Sequence, residues 1–236
     1  MSKTASRDTI EKQAPKTRDP VNQSVVTLQE SVGKAELGIM ANHTWYEDPR
    51  CLAFSLARYK FVAKMLSGRQ SVLEVGCGDG FCSRVVQQEV ARLTVTDFDP
   101  LFIADIERRM DQKWKFEART HDILSGPFPG SFDAIYSMDV LEHIPQQREQ
   151  VFLENIKASL TEHGVLVVGM PSLESQAYAS QISRDGHINC KTGSDFKRFM
   201  ETHFHNVFLF SMNDEVVHTG YAKMAHYLIA MAVGKK

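Results

Sequence analysis

The stretch "LEVGCGDG", Leu73 to Gly80, decides how the rest of the chain is read. An apolar run leads into it and an amphipathic segment follows, so it joins a buried strand to a helix. Glycines at 76, 78 and 80 remove the Cβ where backbone and ligand would approach each other. The turn thus sets a helix N-terminus against a strand end, a place where a ligand can sit. A dinucleotide fingerprint, G-x-G-x-x-G, would need its third glycine at position 81, where this chain has Phe81. That residue argues against a nicotinamide oxidoreductase. Cys77 reads as a small side chain filling a tight turn, with a nucleophilic thiol as the alternative.

Outward from this turn, short apolar runs alternate with amphipathic segments. "SVLEVG" (71–76), "RLTVTD" (92–97), "FDAIYS" (132–137) and "GVLVVG" (164–169) are expected strands, and "KFEARTHDI" (115–123) a further one. Helices are expected around 80–89, 100–110 and 146–160. This alternation predicts an α/β fold, a parallel sheet wrapped by helices with ligands at the carboxyl ends of the strands. "SDFKRFMETHF" reads as a helix capped by Ser194. "NVFLFSM" (206–212) and "AHYLIAMAV" (225–233), joined by "NDEVVHTGYAKM", read as an antiparallel pair at the sheet edge. Upstream, Asp48 as N-cap and Pro49 at the first helical position start a helix whose Leu52, Leu56, Tyr59 and Val62 share a buried face. The expected organisation is a mobile leader over 1–24, an N-terminal lid or helical segment over 25–70, and a ligand-binding domain over 71–236.

At 236 residues, one sizeable core is expected. Twenty-seven basic residues against 29 acidic ones leave a net charge of −2, a balance that argues against a nucleic-acid substrate. No apolar run approaches the roughly 20 residues of a spanning helix, and the first residues lack a hydrophobic signal region. No membrane role and a cytoplasmic location are the expectation. Cys51, Cys77, Cys82 and Cys190 form no C-x-x-C pair, so reduced thiols are expected rather than a zinc ribbon or disulfide scaffold.

The turn's full pattern, E-x-G-x-G-x-G from Glu74 to Gly80, resembles the first strand turn of class I S-adenosylmethionine-dependent methyltransferases, and the resemblance extends over roughly residues 37–236. It implies a Rossmann-like fold: a mostly parallel seven-stranded sheet, helices on both faces and an antiparallel edge strand. It also implies S-adenosyl-L-methionine as the cofactor. In that family the glycine turn packs against the methionine portion and ribose. An acid ending the second strand binds the ribose hydroxyls, and one after the third meets the adenine amine. Carried over, this assigns Glu74, Gly76, Cys77, Gly78, Gly80, Asp97, Phe98, Asp122, Ile123 and Met138 to cofactor binding. The plainer alternatives are turn residues before Pro100 for Asp97 and Asp99, and a cap for Asp122.

"YSMDVLEHIPQ", Tyr136 to Gln146, lies where the fourth strand of that fold ends beside the transferable methyl. Asp139, Glu142 and His143, at i, i+3 and i+4, would share one face if the segment turned helically, a half-site for a divalent metal such as Mg²⁺. The D-x-x-E-H pattern resembles the E-x-x-E-H of two groups. One is the ubiquinone-biosynthesis O-methyltransferases, which act on catechols. The other is the small-RNA 2′-O-methyltransferases, where a later histidine completes a metal site. His187 in "GHINC" matches that histidine. The metal set implied is Asp139, Glu142, His143 and His187, and the catalytic set His143, Glu142 and His187. In the metal-free alternative, His143 or His187 is the general base for a nitrogen or oxygen acceptor. A structural reading remains beside both: His143 bonded to backbone and Glu142 capping the next helix. The long connection "PSLESQAYASQISRDGH" is expected to line the acceptor pocket, and "NDEVVHTGY" either reaches that pocket or forms a solvated hairpin. Trp45 and Tyr46 are read as core packing or as a cover over the ligand. Together these imply O-methylation of a small polar acceptor such as a sugar, vicinal diol or catechol, with RNA or protein methylation as alternatives.

Overall fold

The computed structural model describes residues 15–236. Of the leader expected over 1–24, positions 1–14 lie outside the described residues. Two compact units divide the chain at Glu36 and Leu37. In the first, Asp19 accepts the Val21 amide to start a 3-10 turn, Pro20–Asn22, that runs into α1 (Gln23–Val32).

The second unit opens with α2 (Ile39–Glu47) and α3 (Pro49–Met65). The α3 start follows from its sequence: the Asp48 carboxylate accepts the Arg50 amide, and Pro49 enters with no amide to satisfy. Leu52, Tyr59, Val62 and Ala63 form its buried face. There follow β1 (Val72–Val75), α4 (Ser83–Gln87), β2 (Leu93–Asp97), α5 (Pro100–Arg109), β3 (Glu117–Thr120), β4 (Phe132–Met138) and α6 (Glu149–Ser159). The chain ends with β5 (Leu160–Pro171), α7 (Gln181–Gly186), α8 (Gly193–His203), β6 (Phe204–Asn213), β7 (Val216–His218) and β8 (Tyr227–Lys235). Among the described residues no helix is long and apolar enough to cross a membrane.

The strands form one sheet in the order β3-β2-β1-β4-β5-β8-β6-β7. The first five are mutually parallel, and β8 runs antiparallel between β5 and β6. The sheet has eight strands where seven are expected, because part of the presumed loop pairs back on β6 as the three-residue β7. A two-residue turn makes this possible, with Asp214 in the left-handed region at φ 51°. The cap of α8 also differs: Thr192, not Ser194, is extended and accepts the Asp195 amide, while Ser194 already lies inside the first turn.

Alternation along the strands feeds two cores. Ile135, Leu166 and Val168 face Phe152, Leu153, Ile156 and Phe196 on one side. Ala134, Tyr136, Val165 and Val167 face Tyr59, Val62, Leu66 and Val86 on the other. Both faces are covered, which is why these strands read as continuous apolar runs. At the outer edge β3 carries an exposed Glu117–Arg119 ion pair, 2.8 Å, and the opposite edge is the short β7.

Phe152 is fully buried whereas its neighbour Val151 is 38 % exposed. Phe152→Ala is expected to cost about 3–5 kcal/mol, and Val151→Ala less than about 0.5 kcal/mol. Urea unfolding of the two variants checks this, and equal losses would contradict the assigned faces.

Candidate functional site

The order of the strands reverses between β1 and β4, so the turns leaving these two strands lie side by side at the carboxyl end of the sheet. The glycine turn is held from below. Gly76 and Cys77 amides both donate to the Thr96 carbonyl, at 2.8 and 2.9 Å, and the Gly78 amide donates to Asp97 Oδ2 at 2.9 Å. Gly76, Gly78 and Gly80 all have positive φ. A Cβ at Gly76 would lie 2.3 Å from Val140 Cγ2, and one at Gly78 would lie 2.6 Å from the Met40 sulfur. Helix α2 therefore rests against the turn. The Ala41 amide reinforces it by donating to Asp79 Oδ2 at 2.7 Å.

The residues expected around a cofactor separate into those at the surface of this crevice and those beneath it. Asp97 is buried, each of its oxygens taking one amide, from Gly78 and from Asp99. Each carboxylate oxygen keeps a lone pair with which it can accept a hydroxyl. Asp99 is the cap of α5, accepting the Leu101 amide. Phe98 is 74 % exposed next to Asp97. Glu74 lies underneath, its two oxygens receiving the hydroxyls of Tyr59 and Tyr136 at 2.7 and 2.6 Å. It braces the turn from inside the core and offers a ligand nothing directly. Cys77 is buried, and burial followed by the Glu74 charge pushes its thiol pKa far up, against a nucleophilic role. Met138 and Ile123 are buried, Ile123 within a core cluster. Asp122 accepts the Leu124 amide at 2.8 Å in a tight turn, with no helix following for it to cap. Trp45 and Tyr46 are exposed, so neither is core packing.

After β4 the chain does not continue as a helix. Asp139 has φ 58°, Val140 is non-helical, and a single 3-10 turn, Leu141–His143, follows. The face expected to collect Asp139, Glu142 and His143 therefore does not form. Instead Arg58 Nη1 donates to both Asp139 oxygens, each at 2.9 Å, with the guanidinium 3.8 Å above the Tyr227 ring. Asp139 leaves the proposed metal set because Arg58 already neutralises it. Neither Arg58 nor Tyr227 stands out in the sequence, one lying in an ordinary amphipathic helix and the other in an apolar run.

Glu142, His143 and His187 do come together, one ligand atom from each lying within 4.8 Å of the others. Glu142 is fully buried and, among the described residues, neither oxygen has a hydrogen-bond partner. Burial, then repulsion from Asp139, raises its pKa well above 4.5. His143 Nδ1 lies 2.9 Å from the Gly186 carbonyl and His187 Nδ1 lies 3.0 Å from Gln176 Oε1. Carbonyl oxygens only accept, so each Nδ1 carries the proton and each Nε2 keeps its lone pair. Burial, aided by His143, lowers the His187 pKa from 6.5. The Asn189 amide donates to the Glu142 carbonyl and ties the long connection to this turn.

A buried carboxyl with a raised pKa holds its proton more tightly folded than unfolded. It therefore stabilises the fold below the ordinary value of 4.5, and that contribution is lost as pH rises toward its folded pKa. The metal-free protein is expected to lose stability as pH rises from 4.5, and Glu142→Gln to flatten that decline. Urea midpoints across the range test this; equal slopes for the two proteins would contradict it.

The methyltransferase domain family matches residues 72–164, from β1 to the start of β5. Ubiquinone biosynthesis O-methyltransferase of Xanthomonas campestris pv. campestris is 32 % identical over 77 residues, 31 % of this chain and 32 % of that protein. The Xylella fastidiosa enzyme of the same name is 33 % identical over 100 residues, 39 % of each chain. The chain thus aligns with only about a third of the length of these curated relatives. Among solved structures, N-methyltransferase NodS from Bradyrhizobium japonicum WM9 with S-adenosyl-L-homocysteine matches 92 % of this chain and 99 % of its own, at 19 % identity and a TM-score of 0.59. The methyltransferase domain of bacterial CtHen1-C matches 77 % and 99 %, at 16 % identity and a TM-score of 0.64. With the glycine turn, the acid ending β2 and this strand order, the chain has the Rossmann-like fold of class I S-adenosylmethionine-dependent methyltransferases, and its residues 72–164 match a methyltransferase domain.

Proposed function

We propose that the protein transfers a methyl group from S-adenosyl-L-methionine to a hydroxyl oxygen of a small polar acceptor with adjacent hydroxyls, such as a sugar, another vicinal diol or a catechol. The observation that carries this is the unpartnered, buried Glu142 carboxyl beside two histidines whose Nε2 lone pairs are free. The name of the curated relatives, O-methyltransferases, agrees with an oxygen acceptor. A net charge of −2 argues against RNA. We place the protein in the cytoplasm on the same reading.

The glycine turn would receive the cofactor, its missing side chains allowing close approach, and Asp97 would accept the ribose hydroxyls. The acceptor oxygen attacks the methyl carbon as the carbon–sulfur bond breaks, and its electron pair returns to sulfur. What remains for the protein is to aim the oxygen and remove its proton. Glu142, His143 and His187 would hold a divalent cation, which fits the orphaned carboxyl and the fixed tautomers. Bound there, such an ion lowers the pKa of a coordinated hydroxyl. A second reading rests on His187. Its lowered pKa keeps the imidazole neutral near pH 7, so Nε2 can take the proton of an oxygen or nitrogen acceptor without a metal.

Calorimetric titration with S-adenosyl-L-homocysteine is expected to show binding, weakened about 10–100-fold in Asp97→Asn. No heat at millimolar ligand would remove the cofactor assignment. Exhaustive chelation is expected to abolish methyl transfer, with activity restored by added Mg²⁺ or another divalent ion. His187→Ala is expected to cost at least roughly 100-fold in kcat. A chelated enzyme with full activity, combined with that loss in His187→Ala, would select the metal-free route.

A further inference from the structure

The ion pair of Arg58 and Asp139 borders the cluster of Glu142, His143 and His187 and accounts for its having three members. Only Val140 and the single 3-10 turn separate Asp139 from this cluster along the chain. Its charge reaches two of the three members. After burial, it is the charge that raises the Glu142 pKa, and it partly offsets the lowering of His187 by burial and by His143. Yet both Asp139 oxygens face Arg58, and Asp139 lies outside the group whose ligand atoms come within 4.8 Å of one another.

Arg58 is fixed from three directions. Its Nη1 lies 2.9 Å from each Asp139 oxygen, and its guanidinium rests 3.8 Å from the centre of the fully buried Tyr227 ring. The next residue along α3, Tyr59, is tied to Glu74 at 2.7 Å and anchors this turn of the helix. Burial lowers the Arg58 pKa, but Asp139, Tyr227 and Glu142 together outweigh it, so the guanidinium stays charged. Its side chain is 15 % exposed, and nothing but Asp139 and these neighbours shares its place.

We infer that Arg58 is a positioning residue: it withholds Asp139 from a divalent cation and thereby sets the number of protein donors and the affinity of the site, resting on the cation reading above. Carboxylate oxygens are donors that hard divalent ions prefer, and the charge of the ligand set tunes how tightly such ions bind. With Arg58 present, ionised Glu142 and Asp139 leave a single net negative charge at this end of the sheet. Without Arg58 they leave two. The guanidinium charge also acts on Glu142 itself, so it opposes a cation there even where it makes no contact. Asp139 is thus a latent fourth donor. A purely structural ion pair predicts the opposite result on removing Arg58, since a loosened site binds an ion less tightly.

The test titrates Mn²⁺ into the intact chain without cofactor. Free ion is followed by electron paramagnetic resonance, and water-proton relaxation counts the waters left on bound ion. Arg58→Met keeps a long apolar stem and removes the charge. It is expected to bind Mn²⁺ about 10–100-fold more tightly than the unaltered protein, with one water fewer on the ion. Arg58→Lys retains a cation for Asp139 and is expected to keep the original affinity. Arg58→Met combined with Asp139→Ala strands no charge and is expected to return to the original affinity and water count. Equal affinity for S-adenosyl-L-homocysteine shows that each variant is folded. A folded Arg58→Met protein that binds Mn²⁺ no more tightly overturns the inference, and so does tighter binding with an unchanged water count. A double variant that binds far more weakly than the unaltered protein overturns it too, because Asp139 would then ligate beside Arg58; this arm decides alone if Arg58→Met does not fold. No Mn²⁺ binding by any of the four proteins at millimolar ion removes the cation reading and the inference together, while binding of S-adenosyl-L-homocysteine would keep the cofactor assignment.

Discussion

A carboxylate buried under the glycine turn organises this end of the sheet. Glu74 is fully enclosed and, among the described residues, no ion pair reaches it, so its hydrogen bonds must compensate for the lost water. Tyr59 reaches it from α3 and Tyr136 from β4, the two rings meeting edge to face with centroids 6.0 Å apart. The Glu74 carbonyl receives the Thr96 hydroxyl from β2 at 2.8 Å. One residue thus joins the helix, the central strand and both its neighbours directly below the place where a cofactor would lie. Hydrogen bonds to a charged acceptor are stronger than neutral ones, yet burial still raises the Glu74 pKa, so the arrangement leans on both tyrosines.

The same end of the sheet explains why the two functional turns are not independent. Because β1 and β4 are neighbours, Val140 fills the space that any side chain at position 76 would need. The glycine at that position serves the packing of the polar turn as much as the approach of a ligand. Asp139, in a left-handed conformation, is held there by Arg58 and by the hydrogen bond its amide donates to the Gly169 carbonyl. That strained residue allows the chain to leave β4 and drop Glu142 into the interior.

What could be read in advance was local. The Asp48–Pro49 helix start, the apolar runs of β1, β2, β4 and β5, and the Gly76–Gly80 turn declare themselves within a few residues, and each is found in its place, although β5 runs from Leu160 to Pro171 rather than over 164–169. The grouping of Glu142, His143 and His187 came from a family resemblance, and spacing alone could not have brought residue 187 to residue 143. The partner of Asp139 was not legible, since Arg58 lies 81 positions away and its helix shows no unusual pattern. The strand β7 escaped notice because three residues of "VVH" carry no periodicity, and it exists only through pairing with β6.

The outer strands carry a consequence of another kind. A row of unsatisfied amides and carbonyls at a sheet border is a template on which foreign chains can polymerise. On β3 the oppositely charged Glu117 and Arg119 stand in solvent, and an incoming strand would have to strip both of water to dock. On the far side β7 spans only three residues, too short a ladder to nucleate a stable cross-strand seed. The sheet's own borders therefore guard it against fibril growth at high concentration, with no covering helix required for the task.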